Sequence, residues 1–339
     1  ANGGLTLNLS SRTVSVAGLS GVDTYINVEE VQGSPYKDIV TGRPSQGFES
    51  NPSTGWSFFF WGLGGSDEIT QTPYSDNGKW PAGAGGRWTD GLQVGYSWSD
   101  TPITVNWVGN EAKVSYGAGT GAKAGTNIAY GAGVDTLRNI TFIQTTDFDD
   151  VINGQGATLN HLGYLSNPYE RISYFIVDAR GGNDVIRGNG NFLLIPSVNT
   201  AASAAPADGR GVLVDGRSLD ASGLITMDLS HLKAAHSSSV AHGVVKFSGV
   251  SYVFGTPFND TVYAGNGIDD FRGQGGDDSF FGDEYNNLAS YRNATNAIQV
   301  NLAAGTVEDR VSGSSGNPQG GTSNGSDTLR GVEAIEGTR

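Results

Sequence analysis

Residues 255–290 constrain this chain more than any other stretch. They divide into four consecutive nine-residue units, GTPFNDTVY, AGNGIDDFR, GQGGDDSFF and GDEYNNLAS. Asp260, Asp269, Asp278 and Asn287 hold the same sixth place, and Val262, Phe271, Phe280 and Ala289 the eighth. Small residues, mostly glycine, crowd the first four places. Glycine permits the left-handed backbone that a tight turn needs. The aspartate sets a hard oxygen ligand beside turn carbonyls, a chemistry that suits Ca²⁺. The residue two places later points inward from a short strand and adds an apolar rung. Stacked turns bring one aspartate above the next, with an ion between neighbouring turns. The plainer alternative is a set of acidic, solvated turns with no ion.

The units AGNGIDDFR (264–272) and GQGGDDSFF (273–281) resemble the RTX, or hemolysin-type calcium-binding, nonapeptide G-G-x-G-x-D-x-U-x. The first and last units depart further from it, and Asn287 replaces the acid of the fourth. The resemblance implies a secreted bacterial protein with a right-handed parallel β-roll that folds when it meets calcium. It names no activity, because such repeats accompany proteases, lipases, toxins, epimerases, adhesins and surface-layer proteins. Further matches are GLGGSDEIT (62–70) at Asp67 and ARGGNDVIR (179–187) at Asp184. The unit QTPYSDNGK puts Asp76 nine residues after Asp67, and Asp147, Asp149 and Asp150 could together supply one more site.

A longer repeat contains these turns. VEEVQGSPYKDIVTG (28–42) returns as ITFIQTTDFDDVING (140–154) and VSYVFGTPFNDTVYAG (250–265), and begins again as VEAIEGTR (332–339). The three complete copies each present an aspartate, Asp38, Asp150 and Asp260, about 110 residues apart, far beyond one solenoid turn. The earlier half recurs too. ANGGLTLNLSSRTV (1–14) aligns without a gap on ATNAIQVNLAAGTV (294–307), with weaker copies at 101–114 and 221–234. Between the halves stand G-x-D-T motifs at 21–24, 133–136 and 325–328. The alignment starts partway into a repeat and stops inside a turn motif. The expectation is a fragment of about three repeats of a longer tandem protein, with degenerate capping repeats as the alternative.

The 34 acidic against 20 basic residues give a net charge of −14. That balance argues against a nucleic-acid partner, which favours basic patches, and suits divalent cations. No cysteine is present, which excludes disulfides and thiolate metal sites. No apolar run reaches the length of a membrane span. Glycine contributes 52 of the 339 residues, yet 33 aromatics show that the chain is not a disordered linker. Period-2 patterns mark strands at 5–9, 103–107 and 298–302. A short helix fits near 228–235, and 197–208 reads as a loop.

All six tryptophans lie between Trp56 and Trp107. Buried, they fill a wide core; exposed, they could stack on sugars or on a neighbouring subunit. Of the four histidines, His231, His236 and His242 share a Ser/Ala-rich stretch whose spacing does not suit zinc. Neither H-E-x-x-H nor G-x-S-x-G occurs. The many acidic pairs, such as Asp269 with Asp270 and Asp277 with Asp278, are explained by the calcium motif without a catalytic role.

The expected fold is all-β, a right-handed parallel β-roll or β-helix (β-solenoid) with calcium turns and loop insertions. The expected segments are the end of a long repeat (1–55), a tryptophan-rich lobe (56–110), a solenoid repeat (111–198), a repeat with a Ser/Ala-rich loop (199–254), the nonapeptide roll (255–290) and the start of a further repeat (291–339). Expected calcium ligands are Asp38, Asp67, Asp150, Asp184, Asp260, Asp269, Asp270, Asp277 and Asp278. The expected role is a calcium-stabilised structural protein of the bacterial cell surface, in a surface layer, sheath, filament or adhesin. Its partners would be copies of itself, neighbouring repeats of the same chain, or cell-surface polysaccharide. The alternative is an extracellular polysaccharide-active enzyme or sugar-binding module on a β-helix.

Overall fold

The computed structural model describes residues 3–26, 28, 30–42, 57–72, 91–122, 125, 128–158, 174–198, 206–234, 241–284, 286–291, 294, 297–309 and 325–337. The chain divides into two compact units, Ala1–Val177 and Asp178–Arg339.

The first unit opens with an antiparallel meander of β1 (Leu5–Asn8), β2 (Thr13–Val16) and β3 (Asp23–Thr24). Short strands follow: β4 (Glu30–Gln32), β5 (Ile39–Gly42), β6 (Ser57–Trp61), β7 (Glu68–Gln71) and β8 (Gly91–Gly95). A second meander joins β9 (Ile103–Gly109), β10 (Glu111–Tyr116) and β11 (Gly133–Arg138). It leads to β12 (Phe142–Gln144), β13 (Val151–Ala157) and β14 (Phe175–Ala179), the last running across the boundary. Two parallel ladders organise these strands. In β1–β5–β7–β11, Leu7, Val40, Ile69 and Leu137 stand in register, each at most 1% exposed. In β4–β6–β8–β12 the matching line is Val31, Phe60, Val94 and Ile143.

The second unit begins with the long β15 (Val185–Pro196) and a meander of β16 (Arg210–Asp215), β17 (Ile225–Asp228) and β18 (Val244–Phe254). The nonapeptides form β19 (Asn259–Tyr263), β20 (Asp270–Arg272), β21 (Ser279–Phe281) and β22 (Leu288–Ser290). A last meander, β23 (Ile298–Asn301), β24 (Thr306–Asp309) and β25 (Ser326–Arg330), precedes β26 (Ala334–Glu336). Again two parallel ladders form. In β16–β19–β21–β25, Val214, Val262, Phe280 and Leu329 make one buried line. In β18–β20–β22–β26 the line is Val253, Phe271, Ala289 and Ile335.

The expected all-β class holds, and the described residues contain no helix. The sheets are mixed rather than purely parallel. The recurring segments 1–14, 101–114 and 294–307 fold as antiparallel hairpins, β1–β2, β9–β10 and β23–β24, because each carries two alternating apolar runs around a short turn. Among the described residues 228–234 the expected helix does not form. Met227 is buried in β17, and residues 229–232 make a turn closed by Leu232 N–H donating to Leu229 O at 2.8 Å.

Spacing along the ladders also differs from the stacking expected at nine residues. Thr261 pairs with Ser279, and Asp270 with Leu288, so rungs within the nonapeptide stretch repeat at eighteen. One nonapeptide supplies one turn and one strand, which is half a rung. Successive units therefore fall at two different corners.

The inward lines contribute most of the stability of each ladder. We expect Ile69→Ala, at a fully buried position, to destabilise the chain by about 2–5 kcal/mol in chemical denaturation at fixed calcium. Val108→Ala, at a position 76% exposed, should change stability by no more than about 0.5 kcal/mol.

Candidate metal centre

Parallel pairing of the strands places aspartates from one corner directly above one another, whatever length of chain lies between the rungs. In the first unit, Asp38 N–H donates to Asp67 Oδ1 at 2.8 Å, and Asp67 N–H to Asp135 Oδ1 at 2.8 Å. Below them, Leu5 N–H donates to Asp38 Oδ1 at 2.7 Å. The second unit repeats the column. Val212 N–H donates to Asp260 Oδ1 (2.6 Å), Asp260 N–H to Asp278 Oδ1 (2.9 Å), and Asp278 N–H to Asp327 Oδ1 (2.9 Å). All six carboxylates are buried. Each column has three tiers, and the surroundings of the carboxylate differ from tier to tier.

The first tier uses a hydroxyl. Ser34 stands four residues before Asp38, Thr146 before Asp150 and Thr256 before Asp260. Each folds the turn back so that its N–H and its hydroxyl both reach the carboxylate. Ser34 N–H donates to Asp38 Oδ2 at 2.7 Å and its hydroxyl to Oδ1 at 2.6 Å. Thr146 makes the same contacts to Asp150 at 2.7 and 2.9 Å, and Thr256 to Asp260 at 2.5 and 2.7 Å. Ile103 N–H adds the third donor to Asp150 at 2.7 Å. Three charge-assisted donors on one carboxylate leave little unmet demand.

The second tier lacks the hydroxyl. Its turns, 62–67 and 273–278, are the glycine-rich ones, and they hold left-handed residues: Leu63 (φ 67°), Gly64, Gly65, Gln274 (φ 79°) and Gly276. Asp67 is fully buried, yet its Oδ2 has no hydrogen-bond partner. That oxygen lies over Gly62, where a Cβ would collide with it and would stand 3.9 Å from Asp135 Oδ2. A Cβ on Gly273 would collide with Asp278 in the same way. The first glycine of the motif thus makes room for the carboxylate itself. Asp184 follows a third glycine turn and is 1% exposed. In its own unit its carbonyl accepts from Lys246 N–H at 2.8 Å.

The third tier uses phenols. Asp135 Oδ2 accepts from Tyr96 OH at 2.8 Å, and its Oδ1 from Tyr116 OH at 3.1 Å. Asp327 Oδ2 accepts from Tyr291 OH at 2.8 Å. Around Asp135 the rings of Tyr96, Trp98, Tyr116 and Tyr130 pack together, with Trp98 centroids 5.3 Å from Tyr116 and 5.1 Å from Tyr130. Trp98 and Trp107 are core residues, 2% exposed, and Trp61 is half-buried. Trp56, Trp80, Trp88, His161, His236 and Asp76 lie outside the described residues.

The remaining expected ligands are not in the columns. Asp269 and Asp270 are half-buried at the opposite corner, and Asp277 is exposed, accepting from Ser326 N–H at 2.9 Å. At that opposite corner Asn287 N–H donates to Glu333 Oε2 at 2.8 Å, and Asp269 N–H donates to Ser251 O. Asp147 and Asp149 stay outside the buried set. Sequence reasoning missed Asp135 and Asp327 as column members, although the G-x-D-T motif marked both. It also missed the Ser or Thr four places before the aspartate, which was visible in every complete long repeat.

Among the described residues, no three His, Cys, Asp or Glu side chains converge as a metal site built of side chains alone. A cation bound here would have to complete its shell with carbonyl oxygens, which would suit a hard ion such as Ca²⁺ rather than zinc. The orphaned Asp67 oxygen would suit such an ion. A scan against protein-family models returns no match to this chain, and no curated protein matches it either.

Burial governs the charge state of the columns. It pushes Asp67 up to about 10, with Asp135 and Asp38 nearby adding to the rise. It pushes Asp150 to about 6 and Asp135 and Asp327 to about 7 against their hydrogen bonds. Asp260 and Asp278 rise well above the ordinary range for the same first reason. All these folded-state values exceed the ordinary 3.8, so the folded chain binds more protons than the unfolded one. The metal-free columns are therefore most stable below about pH 4 and lose stability as pH rises through 6 to 7 and on toward 10. Thermal melts in chelator should show Tm falling from pH 5 to pH 8. A Tm that rises over this interval would contradict the assignment.

Proposed function

We propose that this chain is a segment of an RTX-type, calcium-stabilised β-solenoid that serves as a structural protein of the bacterial cell surface, secreted and then folded outside the cell. The observation that carries this reading is the contrast between tiers. Where a hydroxyl supplies the missing donor, at Asp38, Asp150 and Asp260, the turn is ordinary. Where no hydroxyl is present, the turn is glycine-rich and left-handed, and Asp67 keeps a bare buried oxygen. Calcium on the glycine turns would meet that demand. Asp67, Asp278 and Asp184 would hold it, with turn carbonyls completing the shell.

The physical chemistry of export supports the same reading. Unfolded, the chain offers no preformed site, so binding free energy becomes folding free energy. In a low-calcium cytoplasm the acidic chain repels itself and stays open. Millimolar calcium outside the cell suffices for sites of the extracellular class. Ladders of rungs with meanders at intervals suit a long, repetitive structural element whose neighbours are more of the same chain. Sheets, filaments or adhesin stalks are the assemblies that follow from this.

Calcium binding should release protons and reverse the pH trend of the metal-free chain. Saturating calcium should raise Tm more at pH 7.5 than at pH 5. Terbium in place of calcium should luminesce on excitation of Trp98 and its neighbouring tyrosines, and calcium should quench that signal by competition. Asp67→Asn and Asp278→Asn should each remove one bound ion, whereas Thr256→Val should leave the ion count unchanged. Electron imaging in millimolar calcium should show regular assemblies that dissolve on chelation. If chelation leaves both fold and assembly unaltered, the calcium reading is wrong.

A further inference from the structure

The third tier is built twice, in separate units, by residues that share no sequence motif with the calcium turns. Along β6 and β8, Trp61 pairs with Gly95, so the next residues in register are Gly62 and Tyr96. Along β20 and β22, Phe271 pairs with Ala289, which sets Gly273 level with Tyr291. In both columns a tyrosine therefore stands where a third glycine turn would have to begin. Its side chain crosses the corner and donates to the third aspartate at 2.8 Å in each case. Tyr96 is 1% exposed and Tyr291 8%, so neither phenol can turn out to water.

We propose that Tyr96 and Tyr291 are terminators of the ion column: each phenol takes the place of a cation at the third tier, so that Asp135 and Asp327 are satisfied without metal and the column takes one ion fewer than its carboxylates suggest. This rests on the calcium reading of the glycine turns. The second unit shows the space involved. A cavity of about 10 Å³, room for one water-sized sphere, is bordered by Asp278, Tyr291 and Asp327 on one side and by Phe271, Phe280 and Leu329 on the other. The second- and third-tier carboxylates both border it, and so does the Tyr291 ring. A third position completes the pattern. The residue in register with Asp184 is Val245, since Val185 pairs with Lys246. Val245 is fully buried and brings no carboxylate to be satisfied.

Ion counts on the intact chain test this. Isothermal titration with calcium should give one additional bound ion for Tyr291→Phe, and one for Tyr96→Phe made together with Tyr116→Phe, because Tyr116 also donates to Asp135 at 3.1 Å. Asp327→Asn in the wild-type background should leave the count unchanged, because the wild-type Asp327 holds no ion. Asp327→Asn combined with Tyr291→Phe should return the count to that of the wild type. An unchanged count in both phenylalanine variants, measured on chains that keep their calcium-bound far-UV spectrum, would overturn the proposal. So would loss of an ion in Asp327→Asn alone. If a phenylalanine variant fails to fold, the Asp327→Asn count still decides. Absence of any calcium binding by the wild-type chain would instead remove the calcium reading on which the inference stands.

Discussion

A backbone N–H that donates to the carboxylate one rung above it is the interaction on which the rest of this molecule depends. It recurs from Leu5 through Asp38, Asp67 and Asp135, and from Val212 through Asp260, Asp278 and Asp327. It locks the register of parallel strands at their turn ends, where strands of three to six residues have few other anchors. It also forces the carboxylates inside, at a spacing set by the rungs. Buried like charges that close cannot all ionise without compensation. The hydroxyls and phenols of the corner answer that demand, while the Asp67 oxygen over Gly62 leaves it unmet.

The legible part of this design was periodic. The nine-residue units at 255–290 gave the short strands and the inward line of Val262, Phe271, Phe280 and Ala289, all of which are buried. Alternation at 5–9, 103–107 and 298–302 marked strands that exist. What periodicity could not supply was the partner of each rung. A unit that makes half a turn looks, in one dimension, like a unit that makes a whole one, so Asp269 was grouped with Asp260 and Asp278. The antiparallel meanders were hidden for a related reason. The segments 1–14 and 101–114 were visible as repeats, but whether the second run folds back or moves on to a new rung is settled by packing.

The site was legible to a different degree. The glycine turns and their aspartates were found from spacing because the same backbone geometry recurs locally. The tyrosines were not, because Tyr96 lies 39 residues from Asp135 and Tyr291 lies 36 from Asp327. No window of local pattern links residues so far apart. The hydroxyls lay between these extremes. Ser34, Thr146 and Thr256 sit four residues from their aspartates and were in plain view, yet a residue type so common in turns carried no signal until its donor geometry was known.

The donors in both columns all point one way: each belongs to the earlier rung and each acceptor to the later. The corner is therefore a polar thread with a head and a tail. Losing one carboxylate strands the amide of the rung before it and leaves the amide of the rung after it untouched. Damage would spread toward the beginning of a column sooner than toward its end. The hydroxyl-bearing tier, whose turn can hold its own carboxylate, sits at the starting side, and the glycine tier, which has no such hydroxyl, follows it. A chain emerging with its beginning first would thus present the self-sufficient turn before the glycine one, so that order along the polymer becomes order in time.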